Sequence, residues 1–354
     1  MSATGEKLAI ALGMLVLATS CTTKYNTSTQ SSPSANVTEV TSSQTVAAVT
    51  IDGSSTVYPI TQAIAKQFQA ESQEQTQVKV DISGTSGGFE KFCAGKTDIN
   101  NASRPILSAE MEVCNKNGVR FIELPVAFDA LTIAVNPQNT WAKDITTTEL
   151  KKMWEPQAQK KITTWNQVRA SWPDRPLNLY GAGNKSGTFD YFTEAIVGKV
   201  GASRTDYTAS EDDQVLVDGI SKDPNALGYF GFAYLEENQN KLKALPVDSG
   251  KGKGAVVPSR ETVEKIQYQP LSRPLFIYVN AQSAQKKRAV KDFVDFYIQK
   301  APTTVASVGY VPLPEEGYHL DKVHFTRGKV GTVFEGEAEV NLSIGELLRK
   351  QAKF

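Results

Sequence analysis

The sequence has little cysteine or histidine and no excess of either charge. Its 354 residues include three Cys and two His, and 38 basic side chains balance 38 acidic ones. The Cys and His spacing fits no zinc motif, so we expect no metal. The glycine-rich segment at Gly181–Ser186 fits neither a Walker loop nor a dinucleotide fingerprint, so we expect no cofactor. A balanced charge argues against a nucleic-acid partner, because a phosphate backbone is usually bound by a basic face. No apolar run approaches the ~20 residues of a membrane-spanning helix.

The N-terminus has the pattern of an export signal. An apolar run from Leu8 to Ala18 follows Lys7 and leads through small residues to Cys21. This pattern resembles a bacterial lipoprotein signal, in which Cys21 is lipidated and becomes the first mature residue. A plain secretory signal with an incidental Cys is the alternative. We predict that residues 1–20 are a signal peptide and that the mature protein is periplasmic, anchored to a membrane at Cys21.

Residues 21–45 are rich in Ser and Thr and predict a flexible tether between the anchor and a globular body. Export would place Cys93 and Cys114 in an oxidising compartment, where an even pair favours a disulfide. Two buried free thiols are the alternative.

Strand-like and helix-like patterns alternate after the tether. Residues Val78–Ile82 alternate with a period of two, and Arg288–Gln299 has an amphipathic helical pattern. Such alternation predicts an α/β fold. Extended segments near Asp129–Pro137 and Leu271–Asn280 resemble two crossings between lobes, which predicts two α/β domains joined by a two-segment hinge. The predicted domains are lobe I (46–133 and 277–354) and lobe II (134–276).

Three glycine- and hydroxyl-rich loops each follow a strand and begin a helix. They are Asp52–Pro59, Ser83–Phe89 and Gly181–Phe189. In the first loop, Ser55 or Thr56 has the position of a helix N-cap. Helix N-termini offer unpaired N–H groups, glycine lets an anion approach the backbone, and hydroxyls add donors. Three such loops meeting at one point predict a site for a tetrahedral oxyanion.

Arg104 is the candidate cation for this site. It precedes a proline at the end of a short strand that starts near Asp98. An arginine held there predicts a bidentate contact to two oxyanion oxygens. A surface arginine in a turn is the alternative.

Six motifs, taken in order, resemble the periplasmic phosphate-binding proteins of high-affinity phosphate ABC importers, and particularly their cyanobacterial form. The motifs are Gly53–Pro59, Gly84–Phe89, Thr97–Pro105, Lys185–Asp190, Asp223–Tyr234 and Ser272–Val279. The resemblance covers nearly all of residues 46–345. It implies a two-lobed type II periplasmic binding protein, a monomer that binds inorganic phosphate between its lobes and delivers it to membrane permease subunits.

The resemblance also implies the ligand contacts. Arg104 stands where the better-known proteobacterial members have Asp, and Ala182 stands where they have Arg, so Arg104 is expected to replace that arginine. In the family an Asp accepts a proton from phosphate, which helps to exclude sulfate. Asp190 is the first candidate for this role and Asp98 the second. The implied phosphate contacts are Ser55, Thr56, Thr85, Ser86, Ser186, Gly187 and Thr188.

Two other functions stay open at this point. A phosphate sensor would bind the same ligand and hand its closed form to a signalling receptor. A serine hydrolase or phosphatase is suggested by Gly84–Gly88, which satisfies G-x-S-x-G around Ser86, with His319 and His324 downstream. The sequence has no His-Gly-Gly-Gly oxyanion motif, so we predict a binding protein and not an enzyme.

Overall fold

The computed structural model describes residues 47–72, 76–337 and 339–354. The predicted signal peptide, Cys21 and the tether up to residue 45 lie outside these residues, so they stay predictions. The described residues form one compact unit.

Strands and helices alternate along the described chain. The strands are β1 (Ala47–Gly53), β2 (Thr76–Val80), β3 (Ile99–Ala102), β4 (Phe121–Val135), β5 (Ile145–Thr146), β6 (Asn178–Ala182), β7 (Thr208–Ser210), β8 (Ala226–Gly231), β9 (Lys243–Ala244), β10 (Val247–Asp248), β11 (Ala255–Val256), β12 (Ser272–Asn280) and β13 (Val311–Pro312). The α-helices are α1 (Tyr58–Glu71), α2 (Thr85–Cys93), α3 (Ser108–Lys116), α4 (Thr147–Trp154), α5 (Trp165–Val168), α6 (Gly187–Phe192), α7 (Asp213–Lys222), α8 (Phe232–Glu237), α9 (Arg260–Glu264), α10 (Ala281–Lys286), α11 (Arg288–Ser307), α12 (Glu315–Arg327) and α13 (Ile344–Lys353). A 3-10 turn covers Pro156–Ala158, and a π-helical turn covers Thr193–Val197.

One strand, β4, belongs to both halves of the main sheet. Its residues 121–130 pair with β12, and its residues 131–135 pair with β8. The strand order is β2-β1-β3-β12-β4-β8-β6-β7, and β9 and β13 also pair with β4. We call the part from β2 to residue 130 the first sheet half, and the part from residue 131 to β7 the second sheet half. A separate sheet contains β11, β10 and β5.

The parallel strands direct the predicted loops to one edge of each sheet half. Strand β1 is parallel to β2 and β3, and β6 is parallel to β7 and β8. Because parallel strands have their carboxyl ends at the same edge, the loops that follow β1, β2 and β6 open at such edges. The α/β architecture predicted from the sequence is confirmed.

The core is densely apolar along the central strands. Every residue of β4 and of β12 is buried, as expected for strands covered on both faces. Helix α11 packs Phe293 against Phe68 of α1, with ring centroids 5.3 Å apart. The sequence predicted α11 only as far as Gln299, but the helix continues through Pro302 because Thr304 and Val305 extend its buried face. None of the described helices is both long and apolar enough to cross a membrane.

The predicted disulfide is confirmed. Cys93, at the end of α2, is bonded to Cys114 of α3, and both residues are buried. The bond therefore fixes α2, which packs on β1 and β3, against α3.

Candidate anion-binding site

The three predicted loops lie between a strand and a helix, as expected. The first joins β1 to α1, the second joins β2 to α2, and the third joins β6 to α6. The loops therefore come from both sheet halves. In the third loop, the Ser186 hydroxyl accepts the Thr188 amide N–H at 3.1 Å and caps α6. Thr85 and Gly187 are the first residues of α2 and α6, where backbone N–H groups lack helical partners.

The first loop differs from the prediction in one respect. Neither Ser55 nor Thr56 caps α1, because the helix begins at Tyr58 and Val57 occupies the cap position without a side-chain bond. Both hydroxyl residues are buried ahead of the helix. The Tyr234 hydroxyl donates to the Ser55 carbonyl oxygen at 3.0 Å. Because the Thr56 hydroxyl does not cap α1, it can contact the third loop.

Hydroxyl groups from the three loops meet in a buried cluster. Thr56 Oγ1 lies 3.1 Å from Thr188 Oγ1, and Thr85 Oγ1 lies 3.2 Å from Ser103 Oγ. Gly187 allows this approach, because a Cβ atom there would lie 2.5 Å from Thr85 Oγ1 and 2.8 Å from Ser103 Oγ. Thr56, Thr85 and Thr188 have no exposed surface. The structure thus brings the loops together, and it adds Ser103, which the sequence did not indicate.

Arg104 does not offer a bidentate contact to this cluster, so its predicted role needs correction. A guanidinium has five N–H donors. In Arg104, Nε donates to Asp190 Oδ2 at 2.7 Å. Nη1 donates to Glu110 Oε2 at 2.8 Å and to the Pro105 carbonyl oxygen at 2.9 Å. Nη2 donates to Glu110 Oε1 at 2.7 Å and to Ser86 Oγ at 2.8 Å. Protein acceptors occupy every donor, so none is left for a ligand.

Asp190, the first candidate for proton acceptor, is occupied by Arg104. Its Oδ2 accepts the Arg104 Nε–H and lies 3.5 Å from Ser86 Oγ. Burial raises the pKa of the Asp190 carboxyl, and the Arg104 guanidinium opposes that rise. Asp190 is therefore close to the loops but is engaged with the protein.

Asp98, the second candidate, does not join the cluster. Its Oδ1 accepts from Ser283 Oγ at 2.7 Å and from Lys287 Nζ at 2.8 Å, and its Oδ2 accepts from the amide and hydroxyl of Thr50 at 3.0 Å. Burial acts to raise the pKa of Asp98, but these hydrogen bonds outweigh it and hold the pKa below its usual value. The structure thus corrects the prediction, because both Asp98 oxygens are bonded to groups of β1, of α10 and of the residue that follows α10.

A second buried arginine, Arg273 of β12, lies in the cluster and was missed. Its Nη2 donates to Thr188 Oγ1 at 3.0 Å and to Thr56 Oγ1 at 3.3 Å. Nε and Nη2 also donate to Asp129 Oδ2, at 3.1 and 2.9 Å. Neither charged side chain has exposed surface. Among the described residues, none accepts a hydrogen bond from Arg273 Nη1. The available signal was a lone charge within an otherwise apolar strand.

Asp213, the first residue of α7, was also missed. Its Oδ2 accepts from the Gly231 amide at 3.3 Å and from Thr56 Oγ1 at 3.4 Å. Within the described part of the chain, nothing donates to its Oδ1. The side chain is fully buried, and burial raises its pKa to about 6, while the Gly231 N–H, the Arg273 charge and the nearby Ser55 hydroxyl oppose the rise. Nothing local distinguishes Asp213 in the sequence, because the preceding Asp212 is an ordinary helix cap and the two acids are adjacent.

The two missed residues add an unpaired donor and an unpaired acceptor to the cluster, among the described residues. Arg273 Nη1 is a buried donor without an acceptor, Asp213 Oδ1 is a buried acceptor without a donor, and both side chains contact the Thr56 hydroxyl. Buried polar groups of this kind are normally hydrogen-bonded. A small oxyanion that keeps one proton would satisfy both, because it would accept from the arginine and donate to the carboxylate.

The serine hydrolase alternative lacks its histidine. Ser86 Oγ accepts from Arg104 Nη2 and lies near Asp190, and its described hydrogen bonds include none to a histidine. His319 and His324 both lie on α12, where the His324 ring packs against Phe354. Among the described residues, Ser86 therefore lacks the histidine partner that a G-x-S-x-G hydrolase uses as its base.

Comparison with known proteins gives the family. Residues 38–301 match the family model described as a PBP superfamily domain. The chain belongs to this superfamily. It is 58% identical over 314 residues to protein SphX of Synechocystis sp. The aligned region covers 89% of this chain and 93% of that protein. It is 35% identical over 267 residues to the phosphate-binding protein PstS of Staphylococcus saprophyticus. Here the aligned region covers 75% of this chain and 81% of the relative.

Solved structures agree with the fold. A structure described as a possible phosphate binding protein from Planctomyces limnophilus is 41% identical, with a TM-score of 0.58, over 80% of this chain and 98% of that one. A Clostridium perfringens substrate-binding protein solved with phosphate is 24% identical, with a TM-score of 0.63, over 75% of this chain and 100% of that one, and at this identity it shows the fold alone. The fold is that of type II periplasmic binding proteins, a family of substrate-binding proteins and not of enzymes.

Proposed function

We propose that the protein captures inorganic phosphate outside the cytoplasm and delivers it to the permease of an ABC importer. The observation that carries the proposal is the buried cluster in which Arg273 Nη1 and Asp213 Oδ1 lack partners among the described residues. Relatives named as phosphate-binding proteins support phosphate as the ligand. The same relatives favour capture and import over the sensor alternative.

Phosphate suits the hydrogen-bonding groups of the cluster. The starts of α2 and α6 supply backbone N–H donors, and the threonine hydroxyls add further donors. We keep the predicted contacts of the three loops, and we replace Arg104 by Arg273 as the guanidinium that donates to phosphate. The proposed contacts are Ser55, Thr56, Thr85, Ser86, Ser186, Gly187, Thr188 and Arg273.

We assign the phosphate proton to Asp213 in place of Asp190 or Asp98. Phosphate keeps a proton at neutral pH, which it can donate to Asp213 Oδ1. Fully ionised sulfate has no proton, so a sulfate oxygen would face this buried carboxylate without a hydrogen between them. Such an unpaired contact in a buried site is costly. Asp213 would therefore help to exclude sulfate.

The two sheet halves would act as lobes that close on the ligand. The predicted lobes are residues 46–133 with 277–354, and residues 134–276. Strand β4 changes partners between residues 130 and 131, and β12 begins at Ser272, so the connecting segments lie near the predicted boundaries. A ligand held by groups from both halves makes its full set of contacts only in the closed form and therefore favours that form.

Delivery would take place at the membrane surface. The signal-like N-terminus supports a periplasmic lipoprotein attached through Cys21, with residues 21–45 as the tether. The monomer would bind phosphate and then dock on the permease subunits in its closed form.

Calorimetry on the Cys21→Ala chain, which cannot be lipidated, tests the proposal. Titration with phosphate at pH 7 should show one binding site per chain. Sulfate, an anion of the same shape without a proton, is the matched control and should not compete. Absence of phosphate binding, or equal competition by sulfate, would contradict the assignment.

A further inference from the structure

Arg104 and Asp190 form a buried ion pair that joins the two sheet halves. Arg104 follows β3 in the first half, and Asp190 lies on α6 after β6 of the second half. Arg104 Nε and Asp190 Oδ2 are 2.7 Å apart, and the side chains are 1% and 9% exposed. A charge-assisted hydrogen bond of this kind is about twice as strong as a neutral one. The pair therefore stabilises the contact between the halves.

Glu110 keeps Arg104 paired on its own side of this contact. Its two carboxylate oxygens accept from Arg104 Nη1 and Nη2 at 2.8 and 2.7 Å. Glu110 lies on α3, which follows β3, so this bidentate pair does not depend on the second half. If the halves separate, Arg104 loses one carboxylate and keeps the other. Opening therefore leaves no unpaired buried cation, which would be strongly unfavourable.

Arg104 also holds Ser86, a proposed ligand of phosphate. Because Nη2 donates to Ser86 Oγ at 2.8 Å, the Ser86 hydroxyl hydrogen is directed elsewhere, and Asp190 Oδ2 accepts it at 3.5 Å. The Ser86 amide donates to the Lys185 carbonyl oxygen of the third loop at 2.8 Å. One arginine thus orients a loop of the first half and binds the helix that follows a loop of the second.

We propose that Arg104 is a positioning residue that latches the closed form through Asp190 and makes no contact with the ligand. The inference rests on the proposed function, because it requires a ligand that is released when the halves separate. The Arg104–Asp190 bond exists only when the halves meet, so it favours the closed form whichever oxyanion is bound. The latch sets how long phosphate stays bound, and other groups choose between phosphate and sulfate.

The test compares Asp190→Asn, Arg104→Lys and the double variant with the unchanged protein. Stopped-flow measurement should show phosphate leaving about tenfold or more faster from each single variant, because a hydrogen bond to a charged group is lost. The double variant should release phosphate no faster than the faster single variant, since both substitutions break the same Arg104–Asp190 bond. Discrimination against sulfate should stay unchanged in all three.

Glu90→Gln is the matched control. It removes the Glu90–Lys185 pair, which also joins the two halves, from α2 to the third loop, at 3.0 Å, but whose side chains are 63% and 51% exposed. Exposed pairs contribute little, so the dissociation rate should change by less than about twofold. Circular dichroism would identify a variant that does not fold, and Asp190→Asn, which keeps the side-chain shape, carries the test if Arg104→Lys fails.

The outcomes separate the two proposals. An unchanged protein that does not bind phosphate would overturn the function and the latch together. Phosphate binding with an unchanged dissociation rate in Asp190→Asn would overturn the latch alone. Sulfate competition appearing in Asp190→Asn would also overturn it, because Asp190 would then face the ligand.

Discussion

Replacing Asp213 with Asn tests which group accepts the ligand's proton. Asp213 is fully buried, and its Oδ1 has no donor among the residues that the structure describes. Asn has nearly the same shape but no charge, and its amide can donate. The substitution therefore weakens the contact with a protonated oxyanion and removes the repulsion of an unprotonated one.

The expected size follows from the contact that is lost. A hydrogen bond to a charged group contributes about 1.5–3 kcal/mol, so phosphate affinity should fall roughly 10- to 150-fold. Sulfate should bind more tightly, because its oxygen would meet an amide donor in place of a buried carboxylate. Together, the two effects should reduce the preference for phosphate over sulfate by about 100-fold or more.

The pH dependence gives an independent check. Burial raises the pKa of Asp213 to about 6. The free protein's carboxyl should thus be about nine-tenths ionised at pH 7 and about one-tenth ionised at pH 5. The protonated carboxyl can donate to sulfate, so sulfate should compete more strongly as the pH falls from 7 to 5. Asp213→Asn should not show this change.

Competition calorimetry with phosphate and sulfate at pH 7 and pH 5 measures both effects. Asp218→Asn is the matched control, because Asp218 lies on the same helix but is exposed. It should behave like the unchanged protein. If sulfate competes no more strongly in Asp213→Asn than in the unchanged protein at either pH, the assignment of Asp213 is refuted.

Three further changes test other parts of the structure. Arg273→Gln removes the nitrogen without a partner and should weaken phosphate binding about 100-fold in calorimetry, whereas an unchanged affinity would exclude Arg273 as a ligand. Changing Cys93 and Cys114 to Ser should lower the free energy of unfolding in urea by about 3 kcal/mol, with phosphate affinity unchanged; an unchanged stability would contradict this. Burial raises the pKa of Glu123 from 4.5 to about 7. Between pH 4.5 and pH 7, Glu123 is therefore protonated in the folded state but ionised in the unfolded state. Stability should therefore fall by about 3 kcal/mol as the pH rises through this range. In urea unfolding, Glu123→Gln should show a weaker dependence of stability on pH. An equally steep pH dependence in this variant would refute the prediction.

The loops of the candidate site could be predicted because their signal is local. Glycine beside Ser or Thr at a strand-to-helix junction identifies the starts of α2 and α6 within a few residues, and Thr85 and Ser186 lie there. Their meeting follows from a general rule, since the carboxyl ends of parallel strands share an edge. The α/β class follows from alternating patterns for the same reason.

The charged groups could not be assigned, because their partners are distant in sequence. Arg104 and Arg273 both precede a proline, and nothing local shows which one keeps a free donor. Asp129 accepts from Arg273 across 144 positions, and Asp190 accepts from Arg104 across 86. Such pairings depend on the packed structure. The sequence therefore indicated an arginine for the site, and only the packed structure shows that Arg104's donors are occupied while Arg273 Nη1 has no acceptor among the described residues.

The position of β12 has a consequence for synthesis of the chain. This strand lies between β3 and β4, yet it is made only when residues 272–280 leave the ribosome. Until then, the nascent polypeptide has two edges with unpaired backbone groups, and such edges readily pair with other chains. Truncated products that end before Ser272 should therefore aggregate instead of forming an independent first domain.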